Sequence, residues 1–320
     1  MGLSLEMTRF LLAAHKQGVR FDETLTLGRQ HMPTGPKRLE KLLKEAGCWP
    51  PPQEEAAFRV ELAAAAWRFE VFGRRLGVKR LVACDASDFE GAGIVHDLNQ
   101  PVPAELEQKF DVVIDGGTLE HVFNFPVAVA NCMKMIRVGG HFIASTPANN
   151  YCGHGFYQFS PELFFRVFSE ANGFRMVRCA ALAESVYLAR LFGLAYPFEV
   201  RGPVHEVSDP AAVGERVTLI NHAPSALMIL AQKVAHMTPF ERTPQQSDYS
   251  EQWQKGESVS PLQAMRQGSR LEGWLRSWLS EDVCREVLPR LAGVLDPFRS
   301  WRFRRANSFS NRRFYRRTER

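Results

Sequence analysis

Four short apolar runs in this sequence each stop at a glycine or an aspartate. Thr24-Leu25-Thr26-Leu27 stops at Gly28 and Arg80–Cys84 at Asp85. Gly93–His96 stops at Asp97, and Val112-Val113-Ile114 at Asp115-Gly116-Gly117. A carboxylate accepts hydrogen bonds from hydroxyl and amino groups, and glycine lets a ligand approach the backbone. If the four runs are parallel strands of one sheet, their ends share an edge and together form a pocket. Taken singly, each residue is equally well a strand terminator or a helix cap. The ordered set points to a shared ligand site.

Several other chemistries lack their motifs. There is no GxGxxG turn after the first run, which argues against NAD or FAD, and no GxxxxGK[ST] loop for a nucleotide hydrolase. His205-Glu206 is followed by Val-Ser-Asp, so no HExxH is present, and no GxSxG elbow appears. Six cysteines without a CxxC pair fit neither a zinc site nor a disulfide framework. No metal is therefore expected, and a reducing, cytoplasmic setting is.

The elements that must position these residues follow from periodicity. Met7, Phe10, Leu11 and Ala14 predict a helix over 3–17, and Leu39, Leu42 and Leu43 another over 37–46. Phe58, Leu62, Ala65, Phe69, Phe72 and Leu76 step by four and three, predicting one long helix. From residue 80 onward strands alternate with helices. Ser160-Pro161 starts a helix, and 226–234 is a final strand. This is an α/β pattern: an open, mostly parallel sheet with helices on both faces. The expected domain is 1–236, with a helical insertion at 33–78 and a second insertion at 184–225. A linker (237–261), a C-terminal helical extension (262–298) and an Arg-rich tail (299–320) follow.

Composition agrees with a folded chain. Of 320 residues, 45% are hydrophobic and 23% charged. No apolar run approaches the roughly 20 residues that span a bilayer. The net charge of +5 is concentrated at one end: residues 301–320 hold eight arginines and one glutamate, leaving 32 basic against 34 acidic residues elsewhere. Such a tail suits an acidic partner, acidic lipid or nucleic acid, and equally a solvated terminus. The near-neutral body weighs against a nucleic-acid duplex as partner.

The stretch Phe110–Phe174 resembles the class I S-adenosylmethionine-dependent methyltransferases. It carries FDVVIDGG, the Leu119-Glu120-His121 turn, an amphipathic helix, the Arg137-Val138-Gly139-Gly140 turn, a strand and Pro147. The likeness is close over 110–174 and loose over 24–234. It implies a Rossmann-like methyltransferase sheet, S-adenosyl-L-methionine as cofactor, and methyl transfer to a small-molecule or sugar-containing acceptor. Carried over by position, Asp85 would hold the ribose hydroxyls. Asp97 and the Leu98 amide would hold the adenine. Gly28, Asp115 and Gly116 would line the cofactor.

Two departures stand out. Only 11 residues separate Asp85 from Asp97, which leaves little room for a helix between those strands. The family's glycine-rich turn after the first strand is reduced to Gly28-Arg29-Gln30-His31-Met32. Arg29 is there a candidate for the cofactor's carboxylate or simply a solvated side chain.

Methyl transfer needs alignment and a base for the acceptor's proton. Glu120 and His121, after the fourth strand, are candidates, as is His154 in the loop Asn149–Tyr157. A helix cap and a structural loop histidine are the alternatives. In the 184–225 insertion, Tyr187, Phe192, Tyr196, Phe198 and His205 suit a pocket wall, a packed excursion or a dimer surface. A catalytically silent Rossmann-like binding protein is the runner-up, favoured by the degenerate turn. A nucleic-acid methyltransferase using the basic tail is the third reading.

Overall fold

The structure, a computed structural model, describes residues 2–184, 202–255, 305 and 307–318. The helical extension at 262–298 and the aromatic residues Tyr187, Phe192, Tyr196 and Phe198 lie outside the described residues.

The first half follows the sequence pattern. Helix α1 (Leu5–Lys16) starts at Ser4, whose hydroxyl accepts the Met7 N–H, and it buries Met7, Phe10, Leu11 and Ala14. Strand β1 is Glu23–Leu27. Helix α2 (Pro36–Ala46) has proline at its first position and ends at Gly47 in the left-handed region. The expected long helix is two: α3 (Pro52–Ala65) and α4 (Phe69–Arg75). The chain leaves the helix between them because the Trp67 carbonyl accepts the Met32 N–H at 2.7 Å and Arg68 bridges to His31. The apolar period runs on across this break because both helices bury the same face.

Strands β2 (Arg80–Asp85), β3 (Ile94–Val95) and β4 (Phe110–Asp115) follow, with no helix between β2 and β3. Every residue of β4 is buried, as expected for an unbroken apolar run in the sheet's middle. Then come α5 (Phe125–Met135), β5 (Ile136–Asn149), α6 (Pro161–Val167) and β6 (Phe174–Ala183). Next come β7 (Val204–Val207), a one-turn helix (Pro210–Val213), β8 (Ser225–Lys233), α7 (Ser247–Lys255) and β9 (Tyr315–Arg317).

The strand order is β3-β2-β1-β4-β5-β8-β6-β7-β9. Strands β1 to β5 pair in parallel, and β8 runs antiparallel between β5 and β6. This is an open α/β fold with helices on both faces, and the sheet is mixed rather than purely parallel. One face packs Leu25, Leu27, Cys84 and Val113 with α5 and α6. The other packs Val112, Ile114 and Ile143 with α1 to α4.

The C-terminal segment differs from the sequence expectation. Its arginines suggest a tail beyond the α/β pattern, yet β9 pairs with β7 and extends the sheet. Phe314 and Tyr315 are buried, and Phe309 stacks on His205 at 4.3 Å. His205 therefore belongs to a strand at the far side of the sheet and not to a pocket wall. Part of the expected linker is likewise structured: in α7, Asp248 pairs with Arg216, and the Ser247 N–H reaches Glu162 at 2.8 Å.

Candidate functional site

The strand order reverses between β1 and β4, where open α/β sheets leave a crevice at the strands' carboxyl ends. Leu27, the last residue of β1, lies opposite both Cys84 and Asp115. The turn that follows uses Gly28 at φ 66°, with its N–H on the Cys84 carbonyl at 2.7 Å. Asp115 Oδ1 accepts the N–H groups of Gly117 (3.2 Å) and Thr118 (2.7 Å). The Thr118 hydroxyl donates to the Leu27 carbonyl at 2.9 Å, tying the two strand ends together.

The reduced glycine turn is held by other means. Gln30 is buried and donates to the Leu27 carbonyl at 2.6 Å. The Leu3 N–H bonds the His31 carbonyl at 2.7 Å, and the His31 ring stacks on Trp67 at 5.4 Å. A Cβ on Gly116 would run into the Gln30 amide and Leu3, so Gly116 admits Gln30 to the crevice floor. Arg29 bonds Glu70 at 3.1 Å and the Glu90 carbonyl at 3.2 Å. These contacts place it on the wall of a cavity of about 380 Å³ between α4 and strands β1 to β3. A carboxylate ligand would compete there with Glu70.

Three buried acceptors around this floor have no partner: Gln30 Oε1, Asp115 Oδ2 and Glu120 Oε2. Each costs about 1–3 kcal/mol while unpaired. Burial raises the Asp115 carboxyl above its usual range, opposed by the amide donors of Gly117 to Leu119. Burial raises Glu120 as well, with the Asp115 charge adding to it. Three side-chain oxygens thus lie buried and unpartnered around the crevice floor.

The residues at the β2 and β3 ends take different forms. The Asp85 carboxylate makes no side-chain hydrogen bond or ion pair among the described residues, and its carbonyl accepts the His96 N–H. Asp97 is exposed. The Asn99 backbone and side-chain N–H groups on its Oδ1 hold it below its usual pKa. Leu98 is buried, and its carbonyl accepts from Asn131.

Sequence reasoning missed this support. Asn131 is buried inside α5, donates to Leu98 and Gln100, and accepts the Val102 N–H at 2.9 Å. Asn99 accepts the Asn124 N–H at 2.8 Å. A lone amide within the apolar pattern of α5 was the available signal.

The three candidate bases come together. Leu119–His121 forms one 3-10 turn after β4, and the loop after β5 folds back over it. The Glu120 carbonyl accepts the N–H groups of Phe156 (2.8 Å) and Tyr157 (3.2 Å). His154 Nε2 lies 3.5 Å from Glu120 Oε1, and the His121 and His154 rings are 5.3 Å apart. Glu120 is 1% exposed and His154 48% exposed, so the cluster runs from the crevice floor to solvent. Burial and the neighbouring His154 lower the His121 pKa. Beside the cluster, the exposed rings of Phe123 and Phe156 meet edge to face at 5.8 Å.

The described end of the 184–225 insertion reaches the same loop. Asn149 and Asn150 both donate to Asn221 Oδ1 at 2.9 Å, and Tyr151 hydrogen-bonds Glu184.

No family model and no curated protein matches the chain. Among solved structures it is similar to the N-methyltransferase NodS from Bradyrhizobium japonicum in complex with S-adenosyl-L-homocysteine. The identity is 13%, coverage is 72% of this chain and 87% of that one, and the TM-score is 0.36. A S-adenosylmethionine-dependent methyltransferase from Mesorhizobium loti is 14% identical over 69% and 95% of the two chains, with a TM-score of 0.35. The 1,6-didemethyltoxoflavin-N1-methyltransferase of Burkholderia thailandensis is 14% identical over 71% and 77%, with a TM-score of 0.34.

Proposed function

We propose that the chain is a S-adenosylmethionine-dependent methyltransferase acting on a small-molecule or sugar-containing acceptor. The observation that carries this reading is the pair of unpartnered oxygens, Gln30 Oε1 and Asp115 Oδ2, beneath the crevice at the β1–β4 switch point. The cofactor would supply an activated methyl group on a sulfonium, and its cationic end suits a floor of unpaired acceptors. Gln30 Oε1 and Asp115 Oδ2, buried without partners, would lie beneath it. Asp85, unpaired at the end of β2, suits the two ribose hydroxyls. Asp97 keeps one oxygen off the Asn99 contacts for an amino group, with the Leu98 amide beside it.

The acceptor would enter from the side of His154. Glu120 is fixed under the loop and holds the His154 imidazole within 3.5 Å. His154 would then take the proton from the attacking oxygen or nitrogen as that atom bonds to the methyl carbon and the carbon–sulfur bond breaks. The exposed Phe123 and Phe156 rings suit an apolar portion of the acceptor.

The test is calorimetric titration with S-adenosylhomocysteine. Wild type is expected to bind saturably. Asp85→Ala leaves hydroxyl donors unpaired and is expected to cost about 1–3 kcal/mol of binding. Absence of saturable binding at millimolar ligand favours the silent-protein reading instead. The Gln30 side chain under Gly116, where the resemblance expects open glycine backbone, is what supports that second reading.

A further inference from the structure

We propose that Glu120, His121 and His154 bind one divalent transition-metal ion of the Zn²⁺ or Mn²⁺ type. The three side chains come from two separate pieces of chain, the turn after β4 and the loop after β5. Each offers one ligand atom, and these atoms all lie within 4.8 Å of one another. Metal–ligand bonds of 2.0–2.2 Å place neighbouring donors of a tetrahedral ion about 3.4 Å apart. The Glu120 Oε1 to His154 Nε2 separation is already 3.5 Å. The remaining separations, at most 4.8 Å, close by up to about 1.4 Å through side-chain rotation of the exposed imidazoles.

Two further observations point to a ligand. Glu120 is 1% exposed, and its second oxygen is buried without a partner. Buried carboxylates of this kind are normally paired or coordinate a metal. Gly155 has no side chain where a Cβ would lie 3.1 Å from His121 Nδ1 and 2.9 Å from the Glu120 carbonyl. The loop can therefore sit close enough to bring His154 over the turn.

Two imidazoles and one carboxylate, opening to solvent past His154, are the donor set of an ion with vacant positions for a substrate. Imidazole nitrogen disfavours Mg²⁺ and Ca²⁺. The sequence carries no contiguous metal motif, because the third ligand arrives from 33 residues downstream of His121.

This inference uses none of the cofactor-side residues. Where both readings hold, the ion would lower the pKa of a bound acceptor hydroxyl, and the proton would pass to solvent water rather than to His154.

The experiment is calorimetric titration of the metal-stripped full chain with ZnCl₂, MnCl₂ and MgCl₂, without methyl donor. One equivalent of Zn²⁺ per chain is expected, with Mg²⁺ binding at least about tenfold more weakly. His154→Ala and His121→Ala are each expected to weaken Zn²⁺ binding by about tenfold or more. Both residues are exposed, so thermal melting verifies that the variants fold, and Glu120→Gln provides a third, isosteric variant. No saturable Zn²⁺ binding by wild type would overturn the proposal, as would wild-type Zn²⁺ affinity in both histidine variants. Loss of the methyl-transfer reading registers separately, as failure of wild type to bind S-adenosylhomocysteine.

Discussion

A methyl group at Gly155 would meet the Glu120 carbonyl oxygen at 2.9 Å, the acceptor that holds the Phe156 and Tyr157 amides. Gly155→Ala is therefore expected to lift the loop and destabilise the protein by about 1–3 kcal/mol. Thermal melting reads this directly, and an unchanged Tm would mean that the loop does not rest on Glu120. At this scale the sequence named Glu120, His121 and His154 from a turn motif and a glycine-bearing loop. It could not place them within 4.8 Å of one another, because the loop is held by a backbone carbonyl that carries no sequence signature. Gln30, Asn99 and Asn131 were not legible for the same reason. An amide side chain is equally at home in solvent, and only the tertiary contacts of Asn131 with Leu98, Gln100 and Val102 give it a role.

Strand and helix positions were readable where burial sets a period. β1, β2, β4 and α5 fall where apolar spacing places them, since each is covered on at least one face. The α3–α4 junction was not readable, because the break is dictated by the partner of Trp67 and not by its own residues. The β7–β9 pair was hidden by composition: exposed Arg316 and Arg317 flank the edge, while Phe314 and Tyr315 point inward. This pair carries a pH prediction. His205 in β7 is buried with Nδ1 unpartnered, and desolvation together with the Arg317 charge lowers its pKa from the usual 6.5. The unfolded chain therefore takes up this proton at a higher pH than the folded one. Stability is lost as pH falls below 6.5 towards the folded value. His205→Phe keeps the stack on Phe309 without the ionisable group. Between pH 7.5 and 5.5, the variant's Tm is expected to fall less than that of wild type. Equal slopes for the two proteins would assign the acid sensitivity to other groups.

At the scale of the molecule, alternating strands and helices made the switch point legible before any contact was known. Parallel pairing of β1 with β2 and β4 then aligns Leu27, Cys84 and Asp115 in one row. The closing of the sheet was not legible, because it joins segments more than a hundred residues apart. The Ser208 N–H meets the Phe314 carbonyl at 2.9 Å, and the Thr318 N–H meets the Val204 carbonyl at 2.9 Å. Contacts of such sequence separation form late. In refolding followed by pulsed hydrogen exchange, the Ser208 amide is expected to gain protection after those of β4. Simultaneous protection would indicate that the C-terminal segment docks during early collapse. During synthesis the order is imposed: β7 leaves the ribosome long before its partner exists. Until residues 315–317 emerge, β7 presents an open edge to any neighbouring nascent chain. A ribosome stalled between these segments would hold a polypeptide with its crevice residues already translated and its sheet unsealed, which makes it a client for chaperones.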